Sequence, residues 1–410
     1  MSVRLAACVD RRRLNRSRLP PLREAPVTVF DLAIIGGGLA GCSAALHARR
    51  KGASVVLLER GRCGAQSSGV NYGGVRQQGR HPAELPLAQR SRKIWGRLAE
   101  LVGSDCEFAV TGHLKLARSD PDMAELVAHQ EIARQHGLTL DVLERADLRR
   151  RYPYLGEGFV GGSLCAEDGQ ANPRLVTPAF ARTAKRFGAV IREGCTIERA
   201  AASHTGFALF IAGDTTPVHA RRLVNTAGAW GARVAEWFGD TVREDVMAPN
   251  MCVTEPIAPL IGPNLGICGG GMYIRQARGH GSVIFGSGLG VADRDTLRAR
   301  PLADVTMDAA KAAIEMVPAL ANVLLVRSWT GIEGRMSDGL PVVGSSPTTS
   351  NLFHAFGFSG HGFQLGPAVG AVLAELCLDG GSPTSLEGLS MTRFIRRPTN
   401  PAARAAAGQT

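Results

Sequence analysis

Lysine is scarce in this 410-residue chain: Lys51, Lys93, Lys115, Lys185 and Lys311 are the full set, and none falls between residues 240 and 300. Long apolar runs are missing too. None reaches the ~18 residues of a membrane-spanning helix, so no transmembrane segment is expected. The nine cysteines (8, 42, 63, 106, 165, 195, 252, 268 and 377) have neither paired nor metal-ligand spacing. That scatter excludes a disulfide framework and a zinc site, and reads as reduced thiols in a cytoplasmic protein. Internal repeats and long low-complexity segments are absent, and the length suits two or three domains with a large core.

Acidic residues are outnumbered, giving a formal charge of +11. Much of the excess lies in residues 1–28, where Arg4, Arg11, Arg12, Arg13, Arg16, Arg18 and Arg23 face only Asp10 and Glu24. The rest carries about +6, a balance that attracts anionic metabolites. No nucleic-acid fold signature accompanies it, so nucleic acid is not an expected partner. The first 28 residues read as unstructured and lack the apolar stretch of a secretory signal. An organellar presequence and a start codon assigned too far upstream both remain open for them.

What the chain does have is Gly36-Gly37-Gly38-Leu39-Ala40-Gly41, between an apolar run (Phe30 to Ile35) and a small-residue run (Cys42 to Ala48). A second apolar run, Ala53 to Leu58, ends on Glu59, 23 positions after Gly36. Strand, glycine turn, helix, strand and acidic residue in this order form a dinucleotide-binding fingerprint. The helix N-terminus would offer N–H groups to the pyrophosphate, and Glu59 would accept hydrogen bonds from ribose hydroxyls.

Further along, helices are expected near 85–102, 121–136, 173–187, 305–316 and from the 360 turn to about Cys377. Asn172 reads as a cap with Pro173 at the first helical position. Strands are expected at 108–117, 189–197, 207–212, 218–225 and through 246–290. The dinucleotide domain is therefore expected to be discontinuous, over 29–80, 165–245 and 325–385. A substrate domain would occupy 81–164 and 246–324, and a tail 386–410.

Four motifs then occur in order. They are the glycine fingerprint with Glu59; Ser67-Ser68 through Arg76; Val224-Asn225-Thr226-Ala227-Gly228-Ala229-Trp230; and Asp338-Gly339-Leu340-Pro341 followed by Gly357-Phe358-Ser359-Gly360-His361-Gly362-Phe363-Gln364. Over roughly residues 30–380 the chain resembles the FAD-dependent D-amino acid oxidase superfamily, nearest to sarcosine oxidases and the β-type subunits of opine oxidase and hydrogen cyanide synthase. The resemblance implies an α/β fold: a Rossmann-like, glutathione-reductase-like FAD domain with an inserted, largely antiparallel β-sheet substrate domain. It implies FAD contacts from Gly36, Gly38, Leu39, Ala40, Gly41, Glu59, Arg60, Ser67, Ser68, Asn71, Tyr72, Gly73, Ile197, Ala227, Gly228, Trp230, Gly331, Gly360, His361, Gly362 and Phe363. The Gly360–Phe363 turn opens a helix, so its N–H groups would face the flavin edge where charge grows on reduction.

On the substrate side, Arg76 matches the arginine with which sarcosine oxidases hold the carboxylate, a role that suits a guanidinium fork. Gln364 stands where those enzymes have a lysine, and Glu333 where glycine oxidases have an arginine. Glu333 would face a cationic group or the amine, with Arg335 as a potential partner. Tyr273 and Arg275 share a face of an inserted strand near the pocket, and His361 is a candidate proton donor. Gly331 replaces the cysteine that carries flavin in monomeric sarcosine oxidases, so FAD would be non-covalent. The inserted sheet lacks the oxygen-activating lysine, which points electrons toward a heteromeric partner subunit or a quinone. The implied reaction oxidises the C–N bond of a small secondary or D-amino acid. A 2-hydroxy acid dehydrogenase and a non-catalytic flavoprotein subunit remain the alternatives, and no metal is implied.

Overall fold

The computed structural model describes residues 28–394. The basic N-terminal segment and the end of the tail (395–410) lie outside the described residues. Val29–Ile35 is the centre of the first sheet, paired in parallel with Val55–Leu58 on one side and Val218–Asn225 on the other. Val190–Arg192 extends it beyond Val55–Leu58, and Leu352–Phe356 pairs in parallel with the C-terminal half of Val218–Asn225. Ile197–Ser203 and Gly206–Ile211 add antiparallel strands beside the N-terminal half. The central strands are apolar and buried on both faces, as expected of parallel strands covered by helices.

Helix Leu39–Arg50 and the final helix Gly362–Leu378 pack on this sheet and on each other. Their small residues bring the backbones close enough for Ser43 Oγ to donate to Pro367 O at 2.9 Å. Leu85–Trp95 lies against the final helix, and Leu87, Ala88 and Trp95 join the first core. Residues 85–102 thus sit with the first core instead of the expected substrate domain. The expected single helix there is two, Leu85–Trp95 and Leu98–Val102, interrupted at Gly96.

The second sheet runs in the order 325–329, 251–256, 282–287, 272–276, 264–267, 113–117, 161–165, 141–144. Every pairing is antiparallel except Asn264–Ile267 with His113–Ala117. Helix Ala303–Met316 closes its core through Ala309, Ala313 and Met316. Leu325–Trp329, grouped above with the dinucleotide segments, is the edge strand of this second sheet, because it hydrogen-bonds to Met251–Pro256.

Asn172 caps helix Pro173–Arg186, its side chain accepting from Arg174 N at 3.0 Å. Replacing it with alanine is expected to cost about 1 kcal/mol, a fall of roughly 1 °C in Tm for a chain of this size, measurable by thermal melting with circular dichroism. Among the described residues no helix is long and apolar enough to cross a membrane.

Candidate active site

Two cavities meet at the C-terminal edge of the first sheet, sharing Gly38, Ser67, Ser68, Thr226 and Gly228 as common walls. The smaller, about 240 Å³, runs past Gly36, Glu59, Arg60, Ile197, Ala227 and Trp230. The larger, about 510 Å³, opens between the two sheets. Joined end to end, they offer a long slot with a glycine turn at its waist.

The turn is held by its own backbone: Gly36 N donates to Leu58 O at 2.9 Å, and Thr226 Oγ1 donates to Ile35 O at 2.9 Å. Glu59 accepts from Gly37 N at 2.6 Å and Gly61 N at 2.7 Å, so its carboxylate sits at the mouth of the smaller cavity. Arg60 lies over the Trp230 ring, 4.1 Å from its centroid. Gly41 is behind the turn and lines neither cavity; it serves packing alone.

The loop after Ser67 supplies much of the larger cavity. Asn71 Nδ2 donates to Ser67 O and Ser68 O, both at 2.9 Å, while its Oδ1 accepts from Gly73 N at 2.8 Å. Asp168 takes the Gln77 and Gln78 amides at 2.7 and 3.1 Å and pins the next stretch. This directs Arg76 and Arg80 onto the same wall. Arg76 donates to Gln78 O at 2.5 Å. Arg80 is almost fully buried, and one of its guanidinium nitrogens, Nη1, has no hydrogen-bond partner among the described residues. Burial, then the charge of Arg76, pushes Arg80 down to about 9, which leaves it cationic at neutral pH.

The final turn lines the same cavity. His361 Nδ1 lies 2.7 Å from Oε1 of the fully buried Glu84. The side-chain hydrogen bond from His361 and the positive charge of Arg80 outweigh burial and hold Glu84 below its ordinary value. An ionised carboxylate only accepts, so Nδ1 bears the proton and Nε2 keeps a lone pair. Burial, then Arg80, lowers His361 to about 4, so the ring is neutral at pH 7. Glu333 also faces the cavity, its Oε1 accepting from Gly360 N at 2.5 Å. Burial pushes Glu333 up to about 7, offset only by that hydrogen bond. Tyr72 and Tyr273 meet edge to face at 4.7 Å on the same cavity, and burial raises both phenols well above their ordinary value.

Leu39, Ala40, Gly73, Gly362 and Phe363 complete the positions expected on this cavity. Four others fall elsewhere. Gln364 is buried, donating from Nε2 to Ala88 O at 2.8 Å, away from the cavity. Arg275 lies behind Tyr72, giving Nε to Tyr72 O and NH1 to Gln170 Oε1, each at 2.6 Å. Gly331 packs against Val70, and Arg335 is exposed and does not pair with Glu333. Arg80, Glu84 and His113 were not among the expected residues. Arg80 had a local signal, four positions after Arg76 in one loop. Glu84 had none, being 277 positions from His361.

The slot's shape fits FAD. A Cβ added at Gly228 would find nothing within 4 Å, and one at Gly38 would find only Ser68 Oγ at 3.2 Å, so both turns leave open space where the cavities meet. The acidic Glu59 end suits a ribose, and the Gly360–Phe363 turn begins helix Gly362–Leu378 at the other end.

Known proteins resemble this chain over most of its length. A glycine oxidase of Geobacillus kaustophilus is 27% identical over 375 residues, covering 89% of this chain and 97% of that protein. The sarcosine oxidase subunit beta of Rhizobium meliloti is 26% identical, covering 93% and 92%. The crystal structure of L-proline dehydrogenase from P. horikoshii superposes with a TM-score of 0.83 at 26% identity, covering 90% of this chain and 99% of that one. The family described as FAD dependent oxidoreductase (DAO) matches residues 31–376, and the chain belongs to it: it is an enzyme that uses FAD.

Proposed function

We propose that this protein oxidises the C–N bond of a small amino acid, with secondary and D-amino acids as the substrate class. The observation that carries the reading is the larger cavity's division of charge. Arg76 and Arg80 line it, and Glu333, with no cationic partner among the described residues, lines it beside the final turn. A carboxylate at the guanidinium pair and an amine toward Glu333 would span the space where the flavin ring belongs. The names of the relatives, glycine oxidase, sarcosine oxidase and L-proline dehydrogenase, support the same class.

FAD, once bound, would supply the two-electron acceptor for hydride from the carbon next to nitrogen. The chain's own residues do the rest. Arg76 and Arg80 fix the carboxylate, which sets the C–H bond relative to the ring. Tyr72 and Tyr273 wall the site with apolar rings, and Arg275 holds the Tyr72 backbone in place. The product imine then hydrolyses, or persists where it is cyclic. Among the described residues neither cavity is lined by lysine. This supports re-oxidation by a partner subunit or a quinone, and the β-type subunit relatives agree with a heteromeric assembly.

One observation favours a second reading. His361, oriented by Glu84 with its Nε2 lone pair on the cavity side, stands where a 2-hydroxy acid dehydrogenase would need an acceptor for a hydroxyl proton, although burial leaves it a weak base. Anaerobic bleaching of the flavin's visible absorbance separates the two. The panel is sarcosine, D- and L-proline, hydroxyproline isomers, octopine and nopaline, with 2-hydroxyglutarate as the hydroxy acid. Bleaching by an amine is the expected result. Bleaching by 2-hydroxyglutarate alone would replace this proposal with the second reading.

A further inference from the structure

Resting on the amino-acid reading above, we propose that Glu333 receives the substrate's ammonium proton, so that the cavity itself generates the neutral amine that can lose hydride. An ammonium has no lone pair to expel hydride. An alkyl ammonium titrates near 10, like lysine's, so at pH 7 only on the order of one molecule in 10³ is neutral. A site that binds the zwitterion needs somewhere to put that proton.

Glu333 meets the geometric requirement. It lines the cavity that holds Arg76 and Arg80, and among the described contacts its carboxylate has a single hydrogen bond, from Gly360 N to Oε1. Oε2 is free to face a ligand. Arg335, two residues on, is exposed and does not neutralise it. A half-buried carboxylate lacking a cation gains when a cation arrives, and an ammonium is that cation. The proton step is balanced within the pair: an N–H bond breaks, an O–H bond forms on Glu333, and no electrons change hands. Loss of hydride from the adjacent carbon, with bound FAD as the two-electron acceptor, would then leave an iminium for water to hydrolyse.

The other groups around the cavity leave this role to Glu333. Burial lowers His361, on the final turn, to about 4 and holds His113, on the second sheet, well below its ordinary value, so each is too weak a base to keep an ammonium's proton. Tyr72 and Tyr273 stay protonated, while Arg76 and Arg80 stay cationic. Glu84 is held ionised by His361 and Arg80. Glu244 packs behind Gly334 and is also pushed up by burial to about 7, but it accepts from Ala232 N and does not line the cavity. Burial brings Glu333 to about 7, closer to the amine than an ordinary carboxylate. It must be ionised to accept, so reduction should rise with pH through about 7.

The test is stopped-flow anaerobic flavin reduction by the active amine of the panel, from pH 6 to 10, in the parent and in Glu333→Gln. The amide keeps an oxygen for Gly360 N. The variant should hold parental FAD content, Tm and affinity for acetate, a ligand with no amine. It should be roughly 100-fold slower at pH 7, and within about threefold of the parent near pH 10, where half the amine is already neutral. A variant with the parent's rate and profile would overturn the assignment. So would slowing by one factor at every pH, which would mark an effect on the flavin's potential. If no amine reduces the parent's flavin, the proposed function fails first and this assignment with it.

Discussion

Replacing Arg76 with alanine lowers kcat/KM for the amino-acid substrate by about 10²- to 10³-fold, with FAD content close to the parent's. A charge-assisted hydrogen bond contributes about 1.5–3 kcal/mol, and a guanidinium can give two to one carboxylate. Losing roughly 3–4 kcal/mol at about 1.4 kcal/mol per decade yields that range. The loss should fall mainly on KM, since the carboxylate is held in ground and transition states alike. Arg76→Lys should recover only part of it, because an ammonium lacks the planar fork. Arg80→Ala should also weaken binding, and the double variant should lose less than the sum, because both cations act on one anion. Arg76 also donates to Gln78 O, so the loop must be shown intact, which bound FAD reports through its visible spectrum. Unchanged flavin reduction by every amine in Arg76→Ala would sink the carboxylate assignment.

How far the sequence could be read followed the range of the interaction. Strand, glycine turn, helix and Glu59 lie within 31 residues, and each step is local, so the dinucleotide domain was legible. The loop bearing Asn71, Tyr72 and Arg76 was visible through its motif. Gln364 shows where motif matching stops. Correspondence along the chain places a residue, but each helical step turns the side chain by about 100°. Two positions into helix Gly362–Leu378, Gln364 faces Leu85–Trp95, and its amide reaches Ala88 O. Arg275 fails differently: alternation sets it on the face of Tyr273, yet the Tyr72 backbone lies in between and takes its Nε–H. Glu84 was out of reach, since its partner His361 meets it only after the two halves of the first core close.

The glycine turn makes a sharper separation possible, between what the fold needs and what the cofactor needs. A methyl group on Gly41 would overlap the carbonyl oxygen of Gly36 and crowd Thr226 Oγ1. Both belong to the strand-to-helix junction, and neither can yield without breaking the hydrogen bonds that hold it. Gly41→Ala should therefore give little soluble protein, with or without FAD. Gly38 differs. Its φ of −70° and ψ of 178° are ordinary extended backbone, and an added Cβ meets only Ser68 Oγ at 3.2 Å. Gly38→Ala should fold, with an apoprotein Tm within about 2 °C of the parent's, since a surface-like change costs little. The new methyl group would stand where the two cavities join, between the turn's N–H groups and the pyrophosphate they are placed to meet. Keeping those phosphates away should weaken FAD by roughly 100-fold, about 2.7 kcal/mol. Titrating FAD into the two apoproteins and following flavin fluorescence quenching measures the difference. Stoichiometric, tight FAD in Gly38→Ala would mean that the phosphates do not approach the turn there, and the cofactor assignment of Gly38 would have to be withdrawn.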